Sequence, residues 1–396
     1  MNNAFSVSGC WQGDYDEAGL RAWAEELRSK LGAPKVSLGL VFLHPRLFAN
    51  ADKILELLQV HGRIPLLAGC SSMAMISGEK ELEGNCAIAL GLYHLPGVEL
   101  NAFHFTEENL DESTGPAYWH LQTGVVPEQT NGWLVFADPF TLDSERWMES
   151  WNEAYAPLPV VGGLASGDHS EQRTQVYLNR SVFDEGGVAI SIGGAVTLAS
   201  VISQGCTPIG ESWTITKAER NLIYEIGNRP AYALLAETVS QLSPEEQQRS
   251  RGNLFIGLVM NEYLEEFHRG DFLIRNIIGA DPKTGVLAVG AFPRMGQTVQ
   301  FQRRDAATGT EDITALLKRS HTELKNKTIY GGCLCSCNGR GKRLFGVPDH
   351  DASHVQAELG PIGLAGFFCN GEIGPVGGKS FLHGYTASLA LFVGKA

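Results

Sequence analysis

Leu40-Val41-Phe42-Leu43-His44-Pro45 and Leu134-Val135-Phe136-Ala137-Asp138-Pro139 repeat one pattern: an apolar run, a polar residue, then a proline. Pro65-Leu66-Leu67-Ala68-Gly69-Cys70-Ser71-Ser72 and Pro159-Val160-Val161-Gly162-Gly163-Leu164-Ala165-Ser166 repeat a second. Each pair is offset by the same 94 residues. Two separate blocks in one register point to an internal duplication of a strand–helix–strand–glycine-loop unit. The duplicated halves fall at about residues 35–105 and 130–203. Two copies are too few for a stacked solenoid. A strand–helix–strand order favours a parallel pair joined by a right-handed crossover.

Outward from these blocks, Leu20, Trp23, Leu27 and Leu31 recur at helical spacing, with Asp14 or Asp16 as cap and Gly32 and Pro34 as stop. Lys35–Leu43 reads as a buried strand, Leu47–Val60 as an amphipathic helix, Ile64–Ala68 as a short strand. Cys86–Tyr93 and Val98–Phe105 read as further strands. Asp184-Glu185-Gly186-Gly187 makes a turn before two antiparallel strands, Val188–Ile192 and Ala195–Ile202. The sheet is therefore expected to be mixed.

A second large unit follows. Pro230–Leu242 reads as a helix, and Ser243-Pro244-Glu245-Glu246 as a capping box with proline at the first helical position. Leu254–Val259, Phe272–Gly279, Val286–Ala291 and Thr298–Gln302 read as strands, with hairpin chemistry at Asp281-Pro282-Lys283-Thr284-Gly285. Ile313, Leu316 and Leu317 mark a helix. Ile329–Cys337, Ile362–Cys369 and Ser388–Val393 close the unit. The expected class is α/β in the mixed α+β sense, with two domains of mixed sheets flanked by helices. The expected divisions are a lead-in helix at 1–34, one domain at 35–215 and a second at 216–396.

Composition agrees with a folded chain. Of 396 residues, 43% are hydrophobic and 19% charged, which excludes intrinsic disorder. The net charge of −13 disfavours nucleic acid and anionic membrane surfaces as main partners. The longest apolar stretch, Val188–Ile202, is broken by Gly193-Gly194 and falls short of the roughly 20 residues of a membrane span. Met1–Cys10 lacks a basic segment followed by an apolar one, so no secretory signal is expected. The 8 cysteines are then expected to be reduced thiols of a cytoplasmic protein.

Chemistry gathers in the last third. Cys333, Cys335 and Cys337 alternate onto one face of a strand that ends in Asn338-Gly339-Arg340-Gly341. Zinc is disfavoured, because ligands two apart on a flat strand converge poorly. Buried structural thiols are the simpler reading, with Cys337 nearest a pocket. Asn370 and Glu372 lie between glycines at the end of an apolar strand, and Leu382-His383-Gly384-Tyr385-Thr386 follows. A carboxylate there needs partners or a ligand. Arg340 is the natural counterion, in a structural clasp or beside a ligand. His44 and Asp138 end equivalent strands, where ligands often bind in α/β sheets. They also precede prolines and can simply shape turns. Gly69–Ser72 and Gly163–Ser166 offer backbone amides but no phosphate-binding motif. No Gly-x-Ser-x-Gly elbow, His-Glu-x-x-His or Cys-x-x-Cys is present.

These residues carry a resemblance. Phe255-Ile256-Gly257-Leu258, Phe272 through Asp281, Cys337-Asn338-Gly339-Arg340-Gly341 and Gly366-Phe367-Phe368-Cys369-Asn370-Gly371-Glu372-Ile373-Gly374-Pro375 with His383-Gly384-Tyr385-Thr386 resemble the C-terminal domain of the FIST family (F-box and intracellular signal transduction proteins). The two glycine–serine loops resemble its N-terminal domain. The resemblance implies a sensory module for a small ligand, an amino acid or related metabolite. It also implies a separate output partner such as a histidine kinase or a cyclic-dinucleotide enzyme. Some members bind haem as nitric-oxide sensors, which puts His383, and less so His44, forward as a ligand. With about 35 residues and one helix before the match, an F-box, and with it a ubiquitin-adaptor role, is not expected.

The site is accordingly expected at Cys337, Asn338, Arg340, Asn370, Glu372 and His383. Arg340 would meet an anionic group, with Phe367 or Phe368 supporting an apolar wall. The alternatives are haem on His383 and a Cys-dependent enzyme using Cys337 with His383.

Overall fold

The computed structural model describes residues 4–84, 87–167 and 171–395. It is a mixed α+β protein, 28% helix and 40% strand, as expected. The chain forms two compact units: residues 1–202 with 314–396, and residues 203–313. The first residue of the expected strand Cys86–Tyr93 lies outside the described residues; the strand runs Ile88–Tyr93.

The larger unit holds three sheets of one topology. In each, two parallel strands sit at the centre: Leu38–Leu43 beside Leu67–Ser71, Trp133–Ala137 beside Val160–Leu164, and Ile329–Cys337 beside Leu364–Cys369. An antiparallel strand flanks the first member of each pair: Ile88–Tyr93, Gly187–Gly194 and Ala387–Gly394. An edge strand lies outside that: Ser6–Trp11, Val98–Phe105 and Val196–Ser203. A hairpin completes the other side. The expected duplication is thus a triplication. The copies occupy residues 6–93, 98–194 and 196–394, the third interrupted by the smaller unit. Val98–Phe105 belongs to the second copy rather than the first, and Ser6–Trp11 is an edge strand the sequence reading did not foresee.

The hairpins are exchanged. Ala74–Ser77 and Lys80–Glu83, from the first copy, pair with the third copy's Leu364–Cys369. Val176–Leu178 and Ser181–Phe183, from the second, pair with the first copy's Leu67–Ser71. Gly371–Val376 and Lys379–His383, from the third, pair with the second copy's Val160–Leu164.

The central strands are buried on both faces, which is why they read as continuous apolar runs rather than alternating ones. Leu40, Phe42, Leu134, Phe136, Cys333, Cys335, Ala365 and Phe367 share one core. The rings of Phe42, Phe136 and Phe367 meet there pairwise at 4.8–5.8 Å. Gly69, Gly162 and Gly366 hold the parallel pairs together. A Cβ on each would lie 1.7, 1.8 and 2.0 Å from the carbonyl oxygens of Val41, Val135 and Leu334.

The smaller unit is a closed antiparallel barrel. Cys206–Glu219, Thr298–Arg304, Leu254–Val259, Phe272–Asp281, Val286–Val289 and Leu222–Ile226 follow one another, and the last pairs back to the first. Ile215, Ile223, Ile256, Leu287 and Phe301 form its interior with Leu234 and Leu235 of the helix Ala231–Ser240. The expected capping box at Ser243 and Glu246 is present. At the hairpin tip Asp281 accepts from Lys283 N and Thr284 Oγ1, at 2.9 and 2.7 Å.

Candidate functional site

The first parallel strand of each copy ends at an equivalent residue: His44, Asp138 and Cys337. Their amides donate to the carbonyls of Ala87, Gly186 and Thr386 at 2.7–2.9 Å. Each side chain then accepts from the amide two residues on. His44 Nδ1 takes Arg46 N (3.2 Å), Asp138 Oδ1 takes Phe140 N (2.8 Å), and Cys337 Sγ takes Gly339 N (3.3 Å). Three chemically different residues therefore shape one turn. Asp138 is buried and also accepts from Thr141 and from the Thr174 hydroxyl. His44 keeps a lowered pKa because burial disfavours its cation, with Arg46 adding to the effect. Both residues do the turn-shaping work of the plainer reading.

The third copy departs from the pattern. Pro45 and Pro139 correspond to Asn338, which donates to Asn370 Oδ1 at 2.8 Å. Asn370 Nδ2 in turn reaches the Ala165 carbonyl at 3.2 Å. One row across the sheets reads Phe42, Cys70, Val176 in one sheet and Cys335, Phe367, Met75 in another. In the remaining sheet the same row reads Phe136, Gly163, Glu372. A carboxyl stands where the other two sheets bury Val176 and Met75. A Cβ at Gly163 would crowd the Gly371 carbonyl oxygen at 3.1 Å and Cys369 Sγ at 3.2 Å.

Glu372 is fully buried. Its Oε2 accepts from Thr386 N (2.9 Å) and its Oε1 from the Cys369 thiol (3.3 Å), and Cys337 hydrogen-bonds the same carboxyl. Burial pushes its pKa up to about 8, against those hydrogen bonds and the nearby Arg340 charge. The group is therefore mainly the neutral acid at pH 7.

The expected Arg340–Glu372 clasp is not formed. Arg340 is fully buried, and its Nε and Nη2 grip Asp351 at 2.6 and 2.8 Å. Burial alone would raise the Asp351 carboxyl, yet the Arg340 guanidinium and His350 hold it well below the usual carboxylate range. Phe345 stacks on His350, and Arg340 lies over the Phe345 ring. This ion pair fixes the loop after Cys337, and its arginine is not open to a ligand's anion. Asp351 sits on the helix His350–Leu359, a stretch where sequence analysis expected no element.

His383 is the cross-strand neighbour of Glu372, 3% exposed, with Nε2 on the Gly374 carbonyl at 3.0 Å. A haem needs an open face beside its histidine; this ring is enclosed by sheet, and the residues do not fit that group. Cys333 and Cys335 are core residues, while Cys337, Asn338 and Asn370 are partly exposed, with the exposed Tyr385 beside Gly339. Cys70, Cys206, Cys333, Cys335, Cys337 and Cys369 are thiols. Cys10 is disulfide-bonded, which corrects the expectation of reduced cysteines throughout. No helix among the described residues is long and apolar enough to cross a membrane.

Comparison with known proteins bears on this arrangement. A family model described as the FIST N domain matches residues 37–229, and one described as the FIST C domain matches residues 231–375. An uncharacterized protein of Mycobacterium tuberculosis is 40% identical over 350 residues, covering 87% of this chain and 89% of the relative. Another, of Mycobacterium bovis, is 37% identical over 392 residues, covering 98% of each. Among solved structures, one described as "Cyanuric acid hydrolase: evolutionary innovation by structural concatenation" aligns over 99% of this chain and 100% of that one. Its TM-score is 0.32 at 10% identity, too low to carry an argument.

Proposed function

The chain belongs to the FIST family, with FIST N and FIST C domains in one polypeptide, and from that premise we propose that it is a cytoplasmic sensor of a small polar molecule. FIST domains are consistent with a sensory, ligand-binding role in signal transduction. The ligand, an amino acid or related metabolite, rests on the partly exposed Cys337, Asn338 and Asn370, with the Glu372 carboxyl directly beneath. The output partner is a separate protein, a histidine kinase or a cyclic-dinucleotide enzyme.

One observation carries this reading. The third copy has Asn338 where the other two have Pro45 and Pro139, and its exchanged hairpin carries Glu372 where theirs bury Met75 and Val176. The Cys337 strand end brings these two polar residues together through Cys337, which hydrogen-bonds Glu372. A buried carboxyl without an ion pair costs stability, so selection for packing alone does not place it. Paired amides add donors and acceptors of fixed orientation, which suits a ligand bearing both.

A thermal-shift screen of amino acids and related metabolites tests the reading. Stabilising compounds are expected to lose their effect in Asn338→Ala and Asn370→Ala and to keep it in Lys318→Ala. Equal shifts in all variants would place the ligand elsewhere.

A further inference from the structure

Two thiols share the Glu372 carboxyl, and the ligand-binding reading uses the surface of one of them, Cys337, but the reactivity of neither. Cys337 and Cys369 are register partners on neighbouring parallel strands. Neighbouring strands lie about 4.8 Å apart, inside the roughly 4.4–6.8 Å over which Cα atoms accommodate a disulfide. Both side chains reach the same face, because both hydrogen-bond Glu372. Their exposures differ: Cys337 is partly exposed, while Cys369 is buried behind it. The Cys337 sulfur accepts the Gly339 N–H at 3.3 Å, a contact that favours its anion.

We propose that Cys337 and Cys369 form a hydroperoxide-responsive redox pair, with Cys337 the attacking thiol, Cys369 the resolving thiol, and Glu372 the group that moves protons between them. In the first step the fraction of Glu372 that is ionised takes the Cys337 proton. The thiolate attacks the terminal peroxide oxygen, the O–O bond breaks, and Glu372 returns the proton to the leaving alkoxide or hydroxide. Cys337 is oxidised to the sulfenic acid and the peroxide is reduced to alcohol or water. In the second step Cys369 gives its proton through Glu372 to the departing hydroxyl, which leaves as water as the S–S bond forms. Its carboxyl, pushed up to about 8 by burial, sits close to the ordinary thiol range and suits both directions of transfer. This inference does not depend on the small-ligand reading.

The test uses the full chain without added ligand. The protein is exposed to near-stoichiometric hydrogen peroxide, alkylated under denaturing conditions, digested and mapped by mass spectrometry. A cross-linked peptide pair joining Cys337 to Cys369 is expected, with Cys70, Cys333 and Cys335 still alkylated. Cys369→Ser is expected to accumulate sulfenic acid at Cys337, trapped by a dimedone-type probe. Glu372→Gln is expected to slow the oxidation at least about tenfold. Wild-type protein that keeps both thiols alkylatable, or that carries sulfinic Cys337 beside intact Cys369, overturns the proposal without relying on any variant. An unchanged rate in folded Glu372→Gln overturns the carboxyl's part in it.

Discussion

Glu372 is a carboxyl buried among thiols and backbone amides, with its neighbouring arginine committed to Asp351, and such burial costs stability. Its cost has a pH signature. A carboxyl whose folded pKa is raised stabilises most below its unfolded value of about 4.5, and that contribution is lost as pH rises through about 8. Stability relative to Glu372→Gln is therefore expected to fall between about pH 5 and 8. The slope is at most about 1.4 kcal/mol per pH unit, read from urea midpoints of both proteins across that range. A parallel pH dependence of the two would show the carboxyl ionised in the fold. Glu81, which burial and then Asp351 push up to about 7, adds a smaller trend of the same sign. Asp351 has the opposite sign: its contribution is present above the ordinary carboxylate range and lost on the acid side. Asp351→Asn at pH 7 is expected to cost about 3–5 kcal/mol in urea unfolding, because it strands Arg340 as an unpaired buried charge.

At the scale of elements, the repeat was legible because the buried parallel strands leave long apolar runs ending in proline. Its register was legible only to within one residue. Val41 pairs with Gly69, whereas Val135 pairs with Gly162. The connection between the strands is thus one residue shorter in the second copy, and the second pair of blocks is offset by 93 rather than 94. The third copy carries its own signal in the sequence: Leu67-Ala68-Gly69 returns as Leu364-Ala365-Gly366. Its first strand, Gly332-Cys333-Leu334-Cys335-Ser336, shares no such motif, and the inserted barrel separates it from its edge strand. The glycine in this motif permits backbone contact that no side chain allows. Gly366→Ala is expected to destabilise by at least about 1–3 kcal/mol, since the new Cβ meets backbone rather than a movable side chain. A urea midpoint equal to wild type would contradict the closeness of that strand pair.

Across the whole larger unit, the exchange of hairpins means that no copy completes its own sheet. A fragment ending at residue 194 keeps two copies of the repeat yet lacks the strand that receives Ala74–Ser77 and the hairpin that caps Val160–Leu164. It is expected to lack cooperative unfolding by circular dichroism, whereas residues 203–313, whose strands close on themselves, are expected to unfold cooperatively. Hairpin exchange is a long-range pairing that a pattern within one segment does not encode, so it was not legible. Of the six candidate site residues, Cys337, Asn338, Asn370, Glu372 and His383 are neighbours, since polar residues beside glycines mark the ends of these apolar strands, whereas Arg340 turns to Asp351. Asp351 was missed because nothing in Asp349-His350-Asp351 distinguishes a buried counterion from a solvated loop.

Isothermal titration of the strongest thermal-shift compound tests the central claim most directly. Wild type and the Asn338→Ala/Asn370→Ala double variant are titrated side by side, with unfolding curves recorded for each. An affinity at least about tenfold weaker in a folded double variant, the cost of two lost hydrogen bonds, is the result the account expects. An unchanged Kd would contradict the site at this strand end.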